Sequence, residues 1–131
     1  MDIVEFREYC LSLPATEENL PFDDTTLVFK VGGKMFAVID MTAPDHIVVK
    51  CAPERAVELR ERYDGVTAAW HFNKKHWNSI ALHGADNAFL RHEILHSYLI
   101  VVRQNVVPKA LRDSLWQTIT DEGIDTSALN E

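Results

Sequence analysis

Leu27-Val28-Phe29-Lys30-Val31-Gly32-Gly33-Lys34-Met35-Phe36-Ala37-Val38-Ile39-Asp40 is the stretch that decides the fold. Leu27, Phe29 and Val31 alternate with Val28 and Lys30, which is the period of a strand. Gly32-Gly33 then offers two adjacent positions that tolerate positive φ, as a two-residue hairpin turn requires. Met35 to Asp40 returns as the second strand. Thr42-Ala43-Pro44-Asp45 is a longer turn, and His46 to Cys51 is a third strand with Ile47, Val49 and Cys51 on one face.

Upstream, Asp2 caps a helix and pairs with Glu5 in a box-like start. Ile3, Phe6, Cys10 and Leu13 form its apolar stripe, and Pro14 stops it. Residues 15–25 are polar, acidic and interrupted by proline, and read as a loop. Downstream, Pro53 suits the first position of a second helix and Gly65 its end, with Ala56, Leu59 and Tyr63 buried. Trp77 to Leu82 reads as a fourth strand. Asp86 caps a third helix over about 87–103, with Leu90, Ile94, Tyr98 and Val101 as its stripe. Pro108 begins a last helix, with Leu111, Leu115 and Ile119 in line, ended by Gly123. Residues 124–131 read as a short acidic tail that frays. Hairpins without βαβ alternation predict an α+β fold: a mainly antiparallel sheet with helices packed on one face, in a single domain over residues 1–123.

The length of 131 residues is that of one domain, large enough to fold without staples. No stretch is apolar enough to span a membrane, and Met1-Asp2-Ile3-Val4-Glu5 lacks the basic start and apolar core of a signal peptide, so a cytoplasmic protein is expected. Cys10 and Cys51 have no metal-ligand spacing and read as buried free thiols in a reducing compartment. The net charge of −7 by itself argues against a nucleic-acid partner, but its distribution is uneven. Residues 1–24 carry −6 and residues 113–131 carry −5, while residues 25–112 carry +4. Five of the six lysines, Lys30, Lys34, Lys50, Lys74 and Lys75, fall between residues 30 and 75, so a locally basic face is expected on an acidic protein.

Two constellations bear on chemistry. Asn73-Lys74-Lys75-His76-Trp77-Asn78 packs two cations, an amide, an imidazole and an indole into a short segment where a strand begins. Lysines there suit phosphates, and an aromatic ring suits stacking. Trp70, Phe72 and Trp77 read as largely one packing cluster. The second constellation, His92-Glu93-Ile94-Leu95-His96, matches H-E-x-x-H, in which two histidines share a helix face to bind zinc and the glutamate deprotonates a bound water. At 100° per residue, however, His92 and His96 lie opposite the Leu90–Tyr98 stripe, and Leu99 stands where the extended motif needs glycine. They read as exposed helix histidines, and no metal site is assigned. A zinc-dependent hydrolase using His92 and His96, with a third ligand such as Glu122, is the alternative. There is no Gly-rich phosphate loop and no G-x-S-x-G, and Asp40 and Asp45 lack calcium-loop spacing, so no cofactor is expected.

Several runs in order resemble one family. They are Phe6 to Pro14, Leu20-Pro21-Phe22, Phe29 to Ala37, Lys50-Cys51-Ala52-Pro53-Glu54, Asn73 to Asn78, and His96-Ser97-Tyr98. Together they resemble the MmcQ/YjbR-like proteins over about residues 2–112. The resemblance implies a CyaY-like α+β fold and DNA binding through a double wing of hairpins. The wings would fall on the 27–40 hairpin and on residues 73–78, with Lys30, Lys34, Lys50, Lys74 and Lys75 on phosphates, and Asn73, His76 and Trp77 in the same motif. The expected function is therefore non-catalytic DNA binding in a bacterial-type protein. A protein- or small-ligand-interaction module using the same turn is the alternative partner reading.

Overall fold

The computed structural model describes residues 1–130; Glu131 of the expected acidic tail lies outside them. The chain runs α1 (Ile3–Ser12), β1 (Thr16–Asn19), β2 (Thr26–Val31), β3 (Lys34–Asp40), β4 (His46–Lys50), α2 (Pro53–Arg62), β5 (Val66–Ala68), β6 (Trp77–Ala81), α3 (Asn87–Gln104) and α4 (Lys109–Asp121). A 3-10 helix, Thr126–Leu129, follows. The strands form one antiparallel sheet in the order β1-β2-β3-β4-β6-β5. This is the α+β architecture expected from the hairpins, extended by a strand at each edge.

Register separates the two faces. Leu27 and Phe29 lie opposite Ile39 and Ala37, which continue to Ile47 and Val49, then to Ile80 and Val66. These side chains join Phe6 and Cys10 of α1, Ala56 and Leu59 of α2, and Leu90, Ile94 and Leu99 of α3 in one core. Helices therefore cover this face, and burial of these apolar side chains is the main stabilising term. Phe36 sits at a register shift between β2 and β3, and its ring meets Tyr98 edge-on at 5.2 Å. No helix among the described residues is long and apolar enough to cross a membrane.

Three expectations are corrected. Residues 16–19, read as loop, form an edge strand paired with β2, and the exposed Arg7–Glu18 ion pair ties that strand to α1. A polar strand held mainly by backbone pairing leaves no apolar alternation to read. Residues 124–131 were expected to fray, yet Ala128 in the 3-10 helix is fully buried against α3. Finally, α3 is buried around its circumference from Glu93 to Val102, because the sheet lies on one side and α4 and the 3-10 helix pack elsewhere on it.

Candidate functional site

The antiparallel register brings the five lysines to one end of the sheet. β2 arrives there at Lys30 and turns through Gly32-Gly33 to Lys34. β4 ends there at Lys50, opposite Trp77, where β6 begins after the Asn73–His76 turn. Across β2, β3, β4 and β6 the group spans about 14 Å at ordinary strand spacing.

These lysines are not equivalent. Lys34, Lys74 and Lys75 are exposed. Lys30 is half-buried and lies directly across from Glu17 of β1, a residue of opposite charge. Lys50 is tied down: its Nζ donates to Asn105 Oδ1 at 2.7 Å, and burial lowers its pKa. The glycine turn does not project as a free wing. A Cβ on Gly32 would lie 2.9 Å from Val106, so the tip is seated on the residues that follow α3.

Asn73 organises the 73–78 segment. Its side-chain oxygen accepts from the Lys75 amide, and its carbonyl accepts from the amides of His76 and Trp77, each at 3.0 Å. The carbonyl of His76 accepts from the Cys51 amide at 2.8 Å, and Arg60 donates to the carbonyl of Lys74. Trp77 is buried and packs on Phe72 at 5.4 Å. Asn78, fully buried, donates to the carbonyl of Ala56 and joins β6 to α2. Trp70 does not belong to that cluster, contrary to the sequence reading. It is 80% exposed, and Lys74 Nζ stands 4.2 Å above its ring. The residue that sequence reasoning missed is thus the ring most open to a partner. Its only signal was its neighbourhood to Lys74-Lys75.

Glu93 and His96 of H-E-x-x-H have structural partners, and the expected exposure of His96 is overturned, while His92 is partly exposed. His96 is buried, and its Nδ1 lies 2.7 Å from the carbonyl of Ala128. Its Nε2 accepts from the Ala52 amide at 3.3 Å. Both ring nitrogens are therefore occupied. Glu93, equally buried, accepts a bidentate pair from Arg55 at 2.5 and 2.6 Å. Both oxygens of this carboxylate are thus engaged by the guanidinium of Arg55. Among the described residues no three His, Cys, Asp or Glu side chains gather closely enough to hold a metal. A cleft of about 740 Å³ opens between α2 and α3 over these groups, rimmed by Arg62, Tyr63, Phe89 and Arg103. Its inner polar groups, Arg55 and His96, are already paired as above. Burial pushes the nearby Cys51 thiol up to about 11, which leaves it protonated at neutral pH.

The other matched motif is a splice. Ser97 Oγ donates to the carbonyl of Phe36 and accepts from the Lys50 amide, joining α3 to the β3 irregularity and to the end of β4. Tyr98 Oη donates to the carbonyl of Pro14 at 2.6 Å, fixing the turn after α1. His96-Ser97-Tyr98 thus bonds five backbone groups, on Ala128, Ala52, Phe36, Lys50 and Pro14.

Comparison with known proteins agrees with this architecture. The YjbR family model matches residues 11–100. The chain is 30% identical over 86 residues to the uncharacterised protein YjbR of Escherichia coli K12, covering 65% of this chain and 73% of that one. It is 32% identical over 75 residues to the uncharacterised protein YbdF of Escherichia coli O157:H7, covering 56% and 62%. Among solved structures, a Deinococcus radiodurans protein with a DUF419 domain is 38% identical and superimposes with a TM-score of 0.80 over 88% of each chain. A Pseudomonas syringae protein at 24% identity shares the fold, with a TM-score of 0.62 over 72% of this chain and 93% of its own. From its hairpins to its His96-Ser97-Tyr98 splice, the chain belongs to the YjbR family.

Proposed function

We propose that this protein binds DNA, without catalysis of its own, through the end of the sheet where Lys34, Lys74, Lys75 and Trp70 stand exposed. The observation that carries the reading is Trp70: an indole 80% open to solvent with a lysine ammonium 4.2 Å above it. A ring of this kind stacks on unpaired bases, and the adjacent lysines suit the phosphates between them. Single strands are therefore the preferred form, because a duplex keeps its bases stacked inside. Lys30 takes a secondary part, weakened by Glu17, and Lys50 and Trp77 hold the platform in place. The acidic remainder of a chain with net charge −7 keeps non-specific affinity low and salt-sensitive.

Fluorescence anisotropy with labelled oligothymidine and a labelled duplex, at about 50 mM salt, tests this. Wild type should favour the single strand, and Trp70→Ala should lose about tenfold on it, as stacking of one base is worth roughly 1–3 kcal/mol. No binding to either form would turn the same turn into a protein- or ligand-contact surface instead.

A further inference from the structure

The sheet face opposite the helices carries a second, separate feature. Thr26, Val38, Val48, Asp40 and His46 lie on it, and Met35 adds to its floor. Two loops rise on either side: Phe22 and Asp23 before β2, and His71 and Phe72 before β6. Between them lies a trough of about 540 Å³, within the usual range for small-molecule sites. Its floor of valines and methionine is apolar. Its charged lining is of one sign only, Asp23 and Asp40, with no lysine or arginine.

We infer that this trough is a binding site for a small organic cation with a flat apolar body, such as an aromatic amine. The two carboxylates stand side by side, since Thr26 is paired with Asp40 and donates to Asp23. Asp40 Oδ1 accepts from the amide and hydroxyl of Thr42, while its Oδ2 has no protein partner among the described residues. These hydrogen bonds, with those of Thr25 and Thr26 to Asp23, hold both carboxyls below the usual range, so both are anionic at neutral pH. An anion entering the trough meets two negative charges. A neutral apolar guest strips water from them without compensation. A cation on an apolar body satisfies the floor and the rim together, with the ammonium on Asp40 Oδ2 and the ring over Val38 and Val48 beside Phe72. Asp40 lies at the opposite end of β3 from Lys34, and no lysine lines the trough, which reaches toward the lysine end only through Met35, His71 and Phe72.

Amide chemical-shift titration with tryptamine, and in parallel with its anionic counterpart indole-3-propionate, tests the inference. Tryptamine should give saturable shifts centred on Val38, His46, Val48 and Phe72, with indole-3-propionate at least about tenfold weaker. Asp40→Asn, which retains the acceptor for Thr42, should weaken tryptamine about tenfold and remove the preference for the cation. Lys74→Ala/Lys75→Ala should leave tryptamine binding unchanged. Equal binding of the two probes, shifts centred elsewhere, no shift at millimolar tryptamine, or an Asp40→Asn variant that binds like wild type would each overturn it.

Discussion

The Nδ1 of His96 lies 2.7 Å from the carbonyl oxygen of Ala128, while its Nε2 accepts the amide of Ala52. The proton therefore sits on Nδ1 and the ring is neutral, bridging the 3-10 helix near the C-terminus to the start of α2. Burial, the largest influence on it, lowers the pKa of His96 from its ordinary value of 6.5.

A pH dependence follows. The unfolded chain takes up this proton as pH falls through about 6.5, and the folded chain resists it. Stability from this group is thus complete above that value and declines as pH falls toward the depressed folded value. Urea midpoints should fall between about pH 7 and pH 5. His96→Gln should be less stable at pH 7 and should lose less on acidification. An identical decline in the variant would show that another group is responsible.

Removing residues 124–131 tests the same contact from the other side. Ala128 is fully buried and Leu129 packs on the core, so truncation after Gly123 should cost about 2 kcal/mol in urea unfolding. A truncated chain as stable as wild type would restore the picture of a frayed tail.

The Arg55–Glu93 fork should behave as a buried ion pair. Glu93→Gln or Arg55→Met leaves one charge without its partner and should cost about 3 kcal/mol or more. Arg55→Met/Glu93→Leu should recover much of that loss, and denaturant unfolding of the three variants reads the comparison. Equal stability of wild type and both single variants would contradict the assignment of H-E-x-x-H to structure.

Gly32 and Gly33 should differ. Both have positive φ, at 58° and 77°, but only Gly32 would drive a Cβ against Val106. Gly33→Ala should cost about 1 kcal/mol from backbone strain alone. Gly32→Ala should cost more, and Val106→Ala in the same chain should relieve part of the excess. Thermal melting of the set would show whether the turn is seated or free.

What was legible in the sequence had a strong local period or cap. The 27–40 hairpin alternates around two glycines, and α1 and α3 begin at Asp2 and Asp86, whose side chains accept helix amides. The edge strands were not legible, since Thr16–Asn19 is polar and Val66–Ala68 is only three residues long. The surroundings of α3 were also hidden. A helical wheel assumes one buried face, and His96 lies beneath a segment whose docking has no local signature. For the site, the sequence shows five lysines between residues 30 and 75, and it is the strand register that brings them to one end of the sheet. Which of them stay free depended on tertiary placement: Lys50 is bonded to Asn105, and Lys30 lies across from Glu17. The exposure of Trp70 was equally invisible, because its sequence neighbours Phe72 and Trp77 do pack together.

The salt dependence of single-strand binding tests the central claim most directly. Anisotropy titrations of labelled oligothymidine at about 50 to 150 mM salt should show affinity falling steeply for wild type. For Lys74→Ala/Lys75→Ala, affinity should drop and the slope of log K against log salt should be shallower by about 1.4, two phosphate contacts on a single strand. Absent binding at the lowest salt, or a variant with the affinity and slope of wild type, would contradict a phosphate-contacting role for this end of the sheet.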